Sequence, residues 1–302
     1  MMDSVGKVDL VVTWVDGDDP DFYKKVRQYS SNPTELNPER FRDMYQMLKY
    51  VLRSVYQFMP WVNHIYIVTQ RPQIPKWLNR ESSRVTVIHH DEIYQDAQYL
   101  PTFSFFSIFS QLYRIPNLSP YFITMSDDEF IGRPLLKTDF IAPNGTINVY
   151  GMLFGKWLNF KSSIPLKRRL FDFLDHLPRV SHQLLWQQFE EKHSDYLHQV
   201  RLHRFRSKSY LLPNYTFKHF LLRQTDVSTR CVSIFEHLRN VRFVKVVNNE
   251  KKVRRKLSKL VKTQPRFFCL NDDQRDELNL KVCADVKAFL ASYFPNSAPW
   301  EV

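Results

Sequence analysis

The chain reads as an α/β protein: a mostly parallel central sheet flanked by helices, followed by a helical and basic C-terminal half. Two observations predict the sheet. Short β-branched and aromatic runs, Val8 to Trp14, His64 to Val68, Val85 to Ile88 and Tyr121 to Met125, alternate with segments long enough to hold helices. Two of these runs end abruptly in acids, Asp16 and the pair Asp127 and Asp128, as strands do where they empty into a ligand site. The third observation is a change of texture after Phe154, where basic and aromatic residues at helical spacing take over.

Composition narrows the class. Hydrophobic residues make up 43% and charged residues 25% of 302 residues, as in an ordinary globular protein with a full core. The longest apolar runs are too short to span a bilayer, and the opening MMDSVGKVDLVV has no basic head before its apolar part. Cys231, Cys269 and Cys283 are widely spaced in apolar surroundings, which fits packed thiols in a reducing compartment better than disulfides or zinc ligands. The expected location is the cytoplasm. A net charge of +12 calls for an anionic partner: a phosphorylated sugar, a polyanionic polymer, an acidic membrane or nucleic acid.

The elements follow in order. Val8 to Trp14 is the first core strand, closed by the tight acidic loop Asp16 to Pro20. A polar, proline-bearing loop runs from Ser31 to Arg42. Met44, Met47, Leu48, Val51, Leu52, Val55 and Phe58 then mark the buried face of a helix. Asp43 stands at the start of that helix, where an N-cap is its structural role, and Arg53 near the end suits the helix dipole. His64 to Val68 and Val85 to Ile88 are strands. LPTFSFFSIFSQLYRIP reads as one largely buried helix carrying Arg114, and the central strand Tyr121 to Met125 follows, with a further strand at Ile147 to Leu153. Beyond it come helical segments around Leu184 to Tyr196 and Tyr210 to Leu222, a strand at Val241 to Val247 and a helix from Leu278 to Phe294. Lys251 to Lys262 carries Val253, Leu257, Leu260 and Val261 on one side and seven basic residues elsewhere. Such a helix can lie on an anionic membrane or pack its stripe on the core. No zinc-finger spacing, RNA-binding aromatic motif or clear helix-turn-helix points to nucleic acid.

Taken together, VDLVVTWVDGDDP, FRDMYQMLKYVLRSVYQFMPWVNHIYIVTQ, PKWLN, RVTVIHHDEIY, LPTFS, LYRIPNLSPYFITMSDDEFIGRP, HLP at His176 to Pro178, HRFRS at His203 to Ser207 and FFCLNDD at Phe267 to Asp273 resemble the ordered blocks of the Stealth family. That family includes bacterial capsular polysaccharide phosphotransferases and the catalytic subunit of N-acetylglucosamine-1-phosphotransferase. The sequence departs from it at Phe109, Gln111 and Tyr113, where relatives commonly carry a glutamate and two histidines, and at Ser126, where they carry asparagine. These departures bear on the acceptor or sugar pocket more than on the reaction.

The resemblance implies a Rossmann-like or GT-A-like catalytic domain over residues 1–302, with an α/β core at 1–155, a helical substrate-binding part at 156–265 and a C-terminal segment at 266–302 packing back on the core. It implies transfer of a sugar-1-phosphate, such as N-acetylhexosamine-1-phosphate, from a UDP-sugar donor to a hydroxyl of a capsule or surface polysaccharide acceptor, with release of UMP. Asp43, His176 and Arg206 match the family's functional positions. Asp127 and Asp128 are the expected holders of Mg²⁺ or Mn²⁺. Either Asp43 or His176 takes the proton of the acceptor hydroxyl, Asp43 being preferred, and Arg206 offers a fork of donors to phosphate oxygens with Arg53 and Arg114 as helpers. Trp14, Asp16, Asn271 and Asp272 are expected around the substrate. Peripheral contact with the anionic inner membrane through Lys251 to Lys262 is the second partner expectation. The rivals are a metal-dependent glycosyltransferase releasing UDP and a non-catalytic polyanion- or membrane-binding protein.

Overall fold

The computed structural model describes residues 5–32, 36, 41–43, 45–151, 176–207, 213–275 and 278–302. In chain order its elements are β1 (Val8–Thr13), α1 (Pro20–Tyr29), α2 (Met47–Phe58), β2 (Ile65–Thr69), β3 (Val85–His89), α3 (His90–Ile93), α4 (Phe105–Phe109), β4 (Tyr121–Ser126), β5 (Glu129–Ile131), β6 (Ile147–Val149) and β7 (Arg179–His182). The second half adds α5 (Gln183–Lys192), α6 (Ser194–Leu202), α7 (Pro213–Leu221), β8 (Thr229–Cys231), α8 (Ile234–Asn240), β9 (Val241–Val246), α9 (Glu250–Thr263), β10 (Phe267–Asp272) and α10 (Leu280–Tyr293).

The main sheet has the order β3-β2-β1-β4-β7, parallel throughout except for β7, which runs antiparallel to β4. Its interior strands are buried along their whole apolar length, which is why they read as continuous hydrophobic runs rather than alternating ones. From β1 the chain builds outward through β2 and β3 and then returns to place β4 on the other side of β1. The order therefore reverses between β1 and β4, and a crevice opens beyond their carboxyl ends. Thr13 pairs with Ser126 at that end of the ladder, so Trp14 and Asp127 are the first residues to leave the two strands.

Four strands have no counterpart in the sequence pattern, the three-residue β5 and β8 together with β7 and β10. β7 lies too close to Pro178 and is too short to show a period, and β10 sits inside a motif that draws attention for its acids. β10 pairs in parallel with β9 and antiparallel with β5, so the segment after the Asp127–Asp128 turn is clamped by the C-terminal part of the chain. The strand expected at Ile147 to Leu153 joins a separate two-stranded ladder with β8, and its residues past Gly151 lie outside the described set.

Helix α2 buries Met47, Leu48, Val51, Leu52 and Val55, as its spacing predicts; Met44 lies outside the described residues. The expected long helix before β4 is instead the short α4 followed by a 3-10 turn at Leu112–Arg114. Serines at 104, 107 and 110 offer local hydrogen bonds that compete with helix continuation, and Ser110 Oγ donates to the Ser107 carbonyl at 2.7 Å. Helix α1, unforeseen because the acids before Pro20 read only as a loop, is capped by Asp19, whose side chain accepts from Asp21 N at 3.0 Å. The basic helix α9 packs Val253, Leu257 and Leu260 against α10 and β9, while Val261 is 54% exposed and falls outside the stripe. Among the described residues no helix is long and apolar enough to cross a membrane.

Candidate active site

The crevice beyond β1 and β4 is a cleft of about 570 Å³. Trp14 reaches it from the end of β1, Asp127 and Asp128 from the turn after β4, His176 from the segment before β7, and Asn271 and Asp272 from the end of β10. Arg42 and Asp43 come from the loop before α2, and Arg206 from the segment after α6. Residues spread over most of the chain thus meet where the sheet changes direction. Gly17 holds the loop after β1 against Phe41, because any Cβ there would meet the Phe41 carbonyl oxygen at 2.2 Å.

Asp43 is held from two sides. Its Oδ2 accepts from the Trp14 indole at 3.0 Å, and its Oδ1 accepts from Met47 N at 2.7 Å in the first turn of α2. The capping role and the site role therefore coincide. Burial pushes its carboxyl up to about 6, with Asp16 and Asp18 adding to the rise, against the lowering effect of those two hydrogen bonds.

The acidic turn is crowded. Burial, then the charges of Asp128 and Asp43, push Asp127 well above the ordinary carboxylate range. Asp128 Oδ2 lies 3.9 Å from His176 Nδ1 and accepts from the Cys269 thiol at 3.2 Å. Donor atoms of Asp128, His176 and Cys269 all fall within 4.8 Å of one another. Burial and the neighbouring acids push the Cys269 thiol well up, so it stays protonated and serves Asp128 as a donor. Asp128 and His176 offer oxygen and nitrogen donors that suit a cation such as Mg²⁺ or Mn²⁺, and Asp127, beside Asp128 on the turn, lines the same cleft. Cys269, read from the sequence only as a packed thiol, is that and also a neighbour of the acids.

The remaining expected residues divide. Arg206 is exposed at the mouth, with its guanidinium 5.6 Å from the centre of the Phe106 ring. Asp272 lines the cleft in an ion pair with Arg42, a residue the sequence reading passed over, and Tyr45 donates to its Oδ1 at 3.4 Å. Asp16 orders the loop: its backbone N–H donates to Gln73 Oε1 at 3.0 Å and its Oδ1 accepts from Asp18 N at 3.1 Å. Arg53 and Arg114 lie outside the cleft. Arg53 makes a two-pronged pair with Glu301 at 2.7 and 2.6 Å and donates to the Phe294 carbonyl, tying α2 to the C-terminus. Arg114 pairs with Glu190 at 3.1 Å, over a different surface depression. Burial works to raise Glu190, but Arg201, Tyr113 and Arg114 hold it at about 2. Both arginines are thus engaged by carboxylates far along the chain, which no local spacing reveals.

The residues that depart from the resemblance have a structural account. Phe109 and Tyr113 pack on Trp186 with ring centres 5.5 and 6.0 Å apart, building an aromatic core behind the cleft wall. Arg179 went unremarked in the sequence; it lines the cleft and is paired at 3.3 Å with buried Glu129, whose other oxygen accepts from Ser126 N.

Residues 6–33, 40–149 and 258–302 match Stealth protein conserved regions 1, 2 and 4, respectively. The capsular polysaccharide phosphotransferase fcs1 of Haemophilus influenzae is 30% identical over 311 residues, covering 90% of this chain and 80% of that protein. The exopolysaccharide phosphotransferase CpsY of Mycobacterium tuberculosis is 31% identical over 324 residues, covering 99% of this chain but 59% of its own length. LcbA of Neisseria meningitidis, a capsular polysaccharide phosphotransferase, is 43% identical over 149 residues, 48% of this chain and 40% of that one.

Proposed function

The chain belongs to the Stealth family, and on that premise we propose that it is a polysaccharide phosphotransferase that moves a sugar-1-phosphate from a UDP-sugar to an acceptor hydroxyl. The observation that carries the reading is the meeting of Asp43, Asp127, Asp128, His176 and Arg206 in one cleft at the reversal of strand order.

In this reading the acceptor O–H gives its proton to the Asp43 carboxylate, its oxygen bonds to the phosphorus that carries the sugar, and the bond from that phosphorus to the bridging oxygen breaks, releasing UMP. Asp43 suits the proton because burial has moved it toward neutrality. Arg206 offers charge to the non-bridging oxygens, and His176 hydrogen-bonds the phosphate or protonates the leaving oxygen. Asp127 and Asp128 would hold Mg²⁺ or Mn²⁺, which would supply positive charge to the phosphates. N-acetylhexosamine-1-phosphate is the proposed cargo and a capsule or surface glycan the acceptor.

We place the protein in the cytoplasm against the inner membrane face, where the exposed basic side of α9, with Lys251, Lys252, Arg255 and Lys259, would meet anionic lipid. The test of the function is to incubate purified protein with UDP-sugars, Mg²⁺ and capsule oligosaccharide and to identify the released nucleotide. UMP with a phosphodiester in the product is expected; UDP would instead mark a sugar-only transferase.

A further inference from the structure

The cleft continues past the acidic turn, along the carboxyl ends of β2 and β3, to two buried polar side chains that the chemistry above does not use. Gln70, the residue after β2, is 9% exposed, and His90, the residue after β3, is 7% exposed; both line the cleft. The Gln70 Oε1 atom has no hydrogen-bond partner. Its neighbour Gln73 shows what a purely structural amide does on this loop: it accepts from Asp16 N and donates to the Asp16 carbonyl and to Asp19 Oδ2, at 3.0, 2.8 and 3.0 Å. Loop geometry is thus already served by Gln73, and the Oε1 of the second buried amide is left over. Buried polar groups are nearly always satisfied, so an unused one in a cleft wall points to a ligand. His90 shares the position; burial pushes it down to about 4, so at neutral pH its ring offers one donor and one acceptor.

Strand order sets the spacing. β4, which delivers Asp127 and Asp128, is two strands from β2 and three from β3. At the usual separation of roughly 4.8 Å per strand, Gln70 and His90 lie about 10 and 14 Å along the crevice from the acids. That is the reach from the phosphates of a nucleoside diphosphate to its base. Val68 and Phe103 line the same cleft and supply apolar faces, and Trp14 is fixed in place by Asp43.

We propose that Gln70 and His90 form the base-binding end of the cleft and hold the uracil ring of the donor nucleotide. This rests on the UDP-sugar reading above. A primary amide presents an acceptor beside a donor, which matches the N3–H and O4 of uracil, and the amide can flip to suit. The neutral imidazole takes a remaining polar position of the base.

The test uses the full chain with Mg²⁺ and compares the binding of UMP with that of 3-methyl-UMP, whose N3 carries no proton, by calorimetry on the wild type and on Gln70→Met. Methylation is expected to weaken binding to the wild type by about tenfold or more, and Gln70→Met to weaken UMP by a similar factor while removing most of the penalty for methylation. Equal binding of the two nucleotides by the wild type would overturn the assignment without any variant, so a misfolded Gln70→Met protein leaves the question decidable. UMP binding and UMP release that are both insensitive to N3 methylation and to Gln70 would sink this site while leaving the reaction standing. No binding of either nucleotide would sink both.

Discussion

The Trp14 indole donates to Asp43 Oδ2 at 3.0 Å, linking the end of the first strand to the loop before α2 across 29 residues of chain. Burial raises the proton affinity of this carboxyl, and the bond from Trp14 offsets part of that rise.

If Asp43 is the base, as proposed, activity is lost as pH falls through about 6, because only the carboxylate can accept a proton. At pH 5 turnover should be about tenfold below the plateau. Trp14→Phe removes the lowering contribution, so the acid limb of the kcat/KM profile should move to higher pH. A limb that stays in place in Trp14→Phe, and survives in Asp43→Asn, assigns the proton to another group.

Asp128→Asn should weaken Mg²⁺ or Mn²⁺ binding by about tenfold or more. Cys269 reaches Asp128 as a hydrogen-bond donor, so Cys269→Ala should change metal affinity only a few-fold. Calorimetric titration of both variants decides this; a loss in Cys269→Ala as large as in Asp128→Asn would make the sulfur a ligand.

Arg206→Ala should lower kcat by about a hundredfold or more, as loss of one preorganised charge donor does, with the melting temperature unchanged because the side chain is exposed. Arg206→Lys should restore part of it, since a lysine keeps the charge but not the fork. Near-normal UMP release by folded Arg206→Ala would remove the residue from the reaction.

Arg53 and Glu301 form a pair whose side chains are 11% and 4% exposed. Arg53→Ala removes the two-pronged partner of Glu301 and leaves it Lys49 at 3.3 Å, so it should cost about 2 kcal/mol of stability in chemical denaturation. Turnover per folded molecule should not change, because the pair lies away from the cleft.

Replacing Lys251, Lys252, Arg255 and Lys259 with Gln should lower sedimentation with phosphatidylserine vesicles at physiological salt. Each side chain is exposed, so the fold should tolerate the change. Undiminished sedimentation would move the membrane contact elsewhere or dismiss it.

The sequence by itself determined the parallel strands, the buried face of α2 and the acids at the strand ends, because those depend on local apolar runs whose period and termination are written in consecutive residues. It also carried the ordered blocks that mark the family. Only the tertiary structure decided which polar residues face the cleft. Arg53 and Arg114 carry the same charge as Arg206, yet Glu301 and Glu190 claim the first two, over separations of 248 and 76 residues. The placement of Cys269, Gln70 and His90 has no local signal, since it comes from the strand order that sets β10 beside β5, β2 beside β1 and β3 beside β2. Burial and partner choice are properties of the whole packing, so two identical side chains acquire different chemistry according to what folds against them.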